Sequence, residues 1–345
     1  MRKLLPVLIG LAMGASFLYA YNESTAASES NLKATDSGIW VKKADMPTAR
    51  KRFSISVVKG KIYAIGGSVK GNFKGQSTVE AYDPVTDVWT KKTDMPTARQ
   101  WLSTSVVNGK IYAIGGLDVY NGKVLRTVEV YDPISDSWAQ KTDMPTARRA
   151  LSATVVGGKI YVIGGTDSSS CPPRKVFPSV EEYEPVKDVW SKKADMPTSR
   201  AGVSLCVAGE EIYAIGGYDP YSGLRTVEVY NPRTNKWAKR SEIQLKRLGH
   251  SASVVNERIY VIGGAPYGWE PCHNVVEEYN PHTDIWTTKG IMTIPRMSMS
   301  TCVLNKKIYV IGGSKTAFSK PLVLVEEYNP EINDLVEKNI GIDGK

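Results

Sequence analysis

An all-β chain folded as a six-bladed β-propeller is predicted by three observations: a double glycine, a Tyr and a Trp each recur at a period near 49 residues, and no helical period lies between them. The double glycines stand at 66–67, 115–116, 164–165, 216–217, 263–264 and 312–313. The Trp series runs through 40, 89, 138, 190, 237 and 286, and the next place in it holds Leu335. Each unit carries four strand signals separated by Asn-Gly, Gly-Gly and Asp-Pro punctuation. Four antiparallel strands repeated around an axis make a propeller blade.

Before the first unit, Arg2 and Lys3 precede the apolar run "LLPVLIGLAMGASFLYAY", so residues 1–20 read as a signal peptide or an uncleaved N-terminal anchor. Ala20 is one candidate cleavage position and Ala26 or Ala27 another, and no Cys near the run offers a site for lipid attachment. Residues 21–38 are polar and aperiodic and read as a tether. The propeller is expected over 39–338 and a tail over 339–345, and no second apolar segment of membrane length follows. Export to a periplasmic, extracellular or lumenal compartment is the expected destination.

Within a unit, strand a is a run of small residues such as "LSTSVV" (102–107), which suits the crowded axis where blades converge. Its small positions are Ser54, Ser103, Ser152, Ser204, Ser251 and Ser300. Strand b is the alternating "IYAIGG" type, ending in glycines suited to positive φ or close backbone approach. Strand c is the "VEVYDP" type, whose Tyr (82, 131, 183, 230, 279, 328) fills the wider outer space. Strand d begins at the Trp and is basic, as at Lys91-Lys92 and Lys192-Lys193, and Lys on an outermost strand protects a sheet edge. Because these lysines are distributed around a perimeter, the formal charge of +9 implies no nucleic-acid stripe. "IWVKK" (39–43) is expected to supply the outer strand of the last blade and close the ring around Trp40, leaving 331–345 as a degenerate tail or a competitor for that place.

The "IYAIGG" double glycine, the "VEVYDP" Tyr and the following Trp, in six successive units, resemble the kelch-repeat family over almost the whole chain from Trp40 onward. The resemblance implies a propeller of four-stranded kelch blades that binds through the face carrying the b–c and d–a loops. The b–c loops vary in length and composition while the turns on the other face are short and uniform, which points to the same face. The d–a loop contains "DMPTAR" or a relative of it, with Met filling a gap between blades. Its last letter persists in all six units as Arg50, Arg99, Arg148, Arg200, Arg247 and Arg296. Two readings of these arginines stand together. Each pairs with the equally persistent Glu80, Glu129, Glu181, Glu228, Glu277 or Glu326, or some of them ring the channel mouth and hold a ligand carboxylate. The resemblance favours keeping the second, since relatives hold acidic peptides with Arg at this strand entry. Trp101, Trp269, Tyr120 and Tyr218 lie around the same face and complete the candidate ligand-binding set, with loop packing as their alternative role.

No catalytic constellation, metal site or cofactor is expected. Glu270, Cys272 and His273 form one short cluster without a second ligand group, and the glycines end strands without leading into helices. Nothing aligns with the two His, two Tyr and Tyr–Cys link of the copper oxidase built on this kind of propeller. Cys206 and Cys302 read as core thiols, and Cys171 and Cys272 as free or intermolecular ones. The expectation is a monomeric, exported interaction module that binds a protein or glycan ligand, acidic in one reading. The alternative is a sugar-modifying enzyme similar to the exported N-acetylneuraminate epimerases, whose sialic acid carboxylate would suit an Arg-rich mouth.

Overall fold

In the computed structural model, residues 39–69, 75–118, 120–170, 173, 175–268 and 270–330 are described. The signal or anchor, the tether, Cys171, Trp269 and residues 331–345 lie outside that set. Every regular element among the described residues is a strand, and six sheets of four strands make the six blades. In blade two, for example, strand a is Ser103–Val107, b is Lys110–Ile114, c is Val128–Asp132 and d is Ser137–Lys141. Blade six takes its outer strand from the other end of the chain. Ile39–Lys42 pairs antiparallel with Val325–Asn329 and sets Trp40 opposite Tyr328, so the ring closes around Trp40 as the repeat register predicts.

Six apolar clusters make the core, and each straddles two neighbouring blades. One joins Tyr63, Ile65 and Ala81 of blade one to Leu102, Ile111 and Tyr131 of blade two, and the sixth joins Tyr309 and Ile311 to Phe53, Ile62 and Tyr82. Met46, Met95, Met144, Met196, Ile243 and Met292 each fill one of these seams. Unbranched Met adapts to the irregular gap where a d–a loop crosses between sheets.

The recurring Tyr and Trp also join blades. In blade two, Tyr131 stacks on Trp138 at 5.1 Å and donates its hydroxyl to Asp136 in the c–d turn. Asp136 accepts the Thr93 amide of blade one at 3.0 Å, and Trp138 Nε1 donates to the Thr93 carbonyl at 3.0 Å. One backbone residue is thereby gripped at both its polar groups. The same clasp holds Ala44, Thr142, Ala194 and Ser241. At the axis, the small residues of strand a do more than save space. Ser54 Oγ accepts the Thr104 amide, Ser103 that of Ala153, Ser204 that of Ala252 and Ser251 that of Thr301, so hydroxyl groups link successive inner strands.

Candidate functional site

The recurring Arg enters its blade at the end of the d–a loop and turns inward. Arg99 donates to the carbonyls of Gly115 at 3.1 Å and Thr127 at 2.9 Å, the two residues that flank the b–c loop of its own blade. It also reaches the Ala113 carbonyl and the Glu129 carboxylate at 2.7 Å, while Met95 Sδ accepts from its Nε. Thr97, from the same hexapeptide, donates to the second Glu129 oxygen at 2.6 Å. "MPTAR" is therefore one device: Met packs and accepts, Thr orients the Glu, and Arg cinches the neck of the variable loop. Arg50, Arg148, Arg200 and Arg247 bind the corresponding pair of neck carbonyls, and Arg296 pairs with Glu326 at 2.6 Å.

All six arginines are 0 % exposed, which corrects the expectation of a guanidinium ring at the mouth. The paired reading describes Arg50, Arg99, Arg148, Arg200, Arg247 and Arg296, each of which has its expected Glu. Burial lowers Arg99 and Arg200 to about 10 against the opposing pull of Glu129 and Glu228, and both stay charged at neutral pH.

The mouth itself is lined by the residue two places later, where the chain turns back with positive φ: Arg52, Trp101, Ala150, Gly202, Gly249 and Ser298. Backbone bonds join these residues around the axis. The Trp101 amide donates to the Arg52 carbonyl at 2.8 Å, Ala150 to Trp101 at 3.0 Å, Gly202 to Ala150 at 2.7 Å, Arg52 to Ser298 at 3.0 Å and Ser298 to Gly249 at 2.6 Å. Among the described residues, only the step from Gly202 to Gly249 lacks the bond.

Side chains from blades one to four build one sector of this mouth. The Arg52 guanidinium lies 4.2 Å from the Trp101 ring centroid and that of Arg149 lies 4.5 Å from it. They come from the blades on either side, and both cations lie over the Trp101 ring. Arg149 is buried and donates to the carbonyls of Ser168 and Ser170. Lys51 Nζ donates to the carbonyls of Ala317 at 2.6 Å and Ser319 at 2.9 Å, and burial with Arg52 beside it lowers its pKa to about 8. Trp101 and Tyr218 pack on a small apolar floor of Ala150, Val176 and Ala201. The Tyr218 ring lies over Gly202, where a Cβ would come within 2.8 Å of it.

The structure thus brings Trp101 and Tyr218 together, leaves Tyr120 exposed at the tip of the hairpin Leu117–Asp118/Lys123–Val124, and adds Lys51, Arg52 and Arg149. The signal for those three was in the sequence as variation: the two places after each constant Arg differ from unit to unit. Glu270, Cys272 and His273 do not converge. The Cys272 thiol donates to the Lys315 carbonyl and the His273 ring to that of Lys246. His250 takes a core place, its Nε2 donating to the Ile215 carbonyl at 3.1 Å.

Comparison with known proteins matches the KLHDC2/KLHL20/DRC7 Kelch-repeats domain to residues 30–165 and 140–313, and a single Kelch motif to 295–334. Human Kelch-like protein 5 is 45% identical over 47 residues, covering 14% of this chain and 6% of that protein, and mouse Kelch-like protein 1 is 40% identical over 47 residues. The matched stretch is a small fraction of those relatives' length. Among solved structures, one described as the structure of YjhT superimposes with a TM-score of 0.71 at 18% identity, covering 81% of this chain and 94% of the other. At that identity the likeness concerns the fold.

Proposed function

This chain belongs to the kelch-repeat family, and from that premise we propose that it is an exported, monomeric, non-enzymatic interaction module whose ligand seats on the mouth sector around Trp101. Kelch domains generally bind proteins, so a protein ligand comes first and a glycan second. The carrying observation is the Arg52–Trp101–Arg149 stack above the Ala150, Val176 and Ala201 floor. Two guanidinium groups already lie over the Trp101 indole, which disfavours a sugar ring stacked upon it. Arg52, half-buried and fixed by the indole, is a preoriented fork for an anionic group on the ligand, with Lys51 adding charge behind it. Tyr218 and the floor supply the apolar contact that an adjacent side chain of a peptide would use.

The test is affinity capture from the exported fraction with the full chain. Trp101→Ala and Arg52→Ala each lower affinity for the captured ligand by about thirtyfold or more, the scale of a central interface residue. Lys42→Ala and Lys192→Ala, whose side chains are mostly exposed on outer strands, leave it unchanged. Equal effects from both pairs refute the site, and fractionation with the cytosol refutes export.

The sugar-enzyme reading rested on an arginine-rich mouth. With the six recurring arginines paired inside, a sialic acid carboxylate would fall to Arg52 and Lys51. Catalysed exchange of sialic acid anomers, followed by NMR and lost in Arg52→Ala, would replace the binding reading with the enzymatic one.

A further inference from the structure

The junction between blades five and six departs from the other five. Everywhere else the blade Trp donates Nε1 to the carbonyl of the residue four places after the preceding Trp, as Trp89 does to Ala44 at 3.0 Å and Trp286 to Ser241 at 2.8 Å. By that count Trp40 should meet Gly290, yet its Nε1 is buried without a partner. The pairing of blade five shifts register there: Gly290 faces Val276 while Thr288 faces Glu277. The Trp40 indole is therefore held by packing alone, against Tyr328 at 4.8 Å. Beside it opens a cavity of about 410 Å³, lined by Trp40, Lys42, Thr293, Ile294, Leu324 and Glu326. That volume falls in the range of about 300–1,000 Å³ typical of small-molecule sites.

The cavity walls are made where the chain departs from its own repeat. Blade two is entered through Pro96-Thr97, and Thr97 donates to Glu129; blade six is entered through Thr293-Ile294. The hydroxyl has moved one place toward the N-terminus, and Thr293 still donates to Glu326. The carboxylate is thus satisfied while the next place, Ile294, becomes aliphatic. Leu324 likewise stands where blades one to four have Thr78, Thr127, Ser179 and Thr226. Two polar positions have become apolar around one indole. Glu326 is also paired with Arg296 at 2.6 Å, so its charge is answered inside the blade. Among the lining residues Lys42 is the cation. Its side chain is 67% exposed and 3.5 Å from Asp45, a surface pair weak enough to yield to an anion on an occupant.

We propose that this cavity, separate from the mouth sector around Trp101, binds a small molecule with a flat apolar body and one anionic group. The body packs on Trp40, Ile294 and Leu324, and the anion meets Lys42. Such an occupant touches the closing strand through Trp40 and Lys42, strand c of blade six through Glu326, and the loop from blade five through Thr293 and Ile294. It bridges three segments at the junction whose indole bond is missing. Occupancy therefore also holds the closing strand in place, because a ligand that binds only the closed form stabilises that form.

Calorimetric titration of the full chain with α-naphthalenesulfonate tests this, with α-naphthylmethanol as the uncharged comparison. The sulfonate binds at one site, about threefold or more tighter than the alcohol, and at saturation it slows amide exchange of residues 40–42 by about fivefold or more. Ile294→Thr with Leu324→Thr restores side chains that blades one and two carry at these places and lowers sulfonate affinity by about tenfold or more. Ile294→Trp fills the cavity instead of making it polar and removes binding as well. Lys42→Ala lowers affinity for the sulfonate by about threefold and leaves that for the alcohol unchanged. Trp101→Ala, at the mouth, changes neither. The proposal is overturned if the sulfonate does not bind, or if binding survives both the double Thr variant and Ile294→Trp. Equal affinity for the two compounds rejects the anionic class and the proposal with it. Loss of binding in Trp101→Ala would place the probe at the mouth and equally overturn the site.

Discussion

Replacing Arg200 separates the scaffold role of the recurring arginines from a ligand role. Arg200 donates to Gly216 at 2.9 Å, Thr226 at 2.7 Å, Ala214 at 3.1 Å and Glu228 at 2.7 Å, and both charged side chains are 0 % exposed. In Arg200→Met the Glu228 carboxylate keeps only the Thr198 hydroxyl and has no counter-charge in the interior. Breaking a buried pair in this way costs about 3–5 kcal/mol. Adding Glu228→Leu removes the orphaned charge and leaves under-satisfied carbonyls at about 1 kcal/mol each, so the double variant should lose about 2–3 kcal/mol, less than the single one. Urea unfolding followed by Trp fluorescence reads both values and their non-additivity. Ligand affinity, measured per folded molecule, should stay within about twofold because the guanidinium never reaches the surface. An Arg200→Met protein of unchanged stability that no longer binds ligand would overturn this scaffold role. So would a double variant that loses the full sum of the two single ones.

His250 holds a place that other units give to Phe53, Leu102, Leu151, Val203 and Met299, and burial with Arg247 and Arg200 nearby pushes it down to about 3. The unfolded chain therefore binds this proton below about pH 6.5 and the folded one does not, so stability is complete above that pH and falls toward pH 3 by about 1.4 kcal/mol per unit. His250→Leu should flatten that part of a stability–pH curve, leaving the smaller contribution of His273, which is pushed down to about 4. Asp136→Asn should be nearly neutral, because Asn235 already performs the same double acceptance in blade four, whereas Asp136→Ala strands the Tyr131 hydroxyl and the Thr93 amide. Thermal unfolding of the two variants should differ in that order. Gly116→Ala should cost about 2 kcal/mol or more, since φ is +107° and a Cβ would lie 2.9 Å from the Gln100 carbonyl oxygen.

How far the sequence could be read depended on whether a role recurred. Blade number, the seam-filling Met, the Arg–Glu pairs and ring closure by Trp40 all repeat at a fixed period, and repetition displays them. The direction of a guanidinium is another matter. Arg50 and Arg52 sit two residues apart at one strand entry, and only the positive φ at Arg52 sends one inward and the other to the mouth. Local composition carries little trace of that turn, because Arg, Trp, Ala, Gly and Ser all occupy it. The inter-strand work of Ser54 and its counterparts was hidden for a different reason: a small residue near an axis is already explained by space. The register shift between Val276 and Glu277 lies against the seven-residue outer strand Ile285–Ile291, longer than its counterparts, yet the Trp-to-Arg spacing of that unit matches the others, so no spacing could disclose it.

The circle of backbone bonds at the mouth has a consequence for how this surface can change. Its geometry is fixed by amides and carbonyls, so the six side chains mounted on it contribute little to holding it. Arg, Trp, Ala, two Gly and Ser already share the same seat. Beneath five of the six seats, a buried Arg clips both ends of its blade's b–c loop whatever that loop contains. Drift or selection can thus change the side chains the mouth presents, one position at a time, while the frame that displays them is left intact.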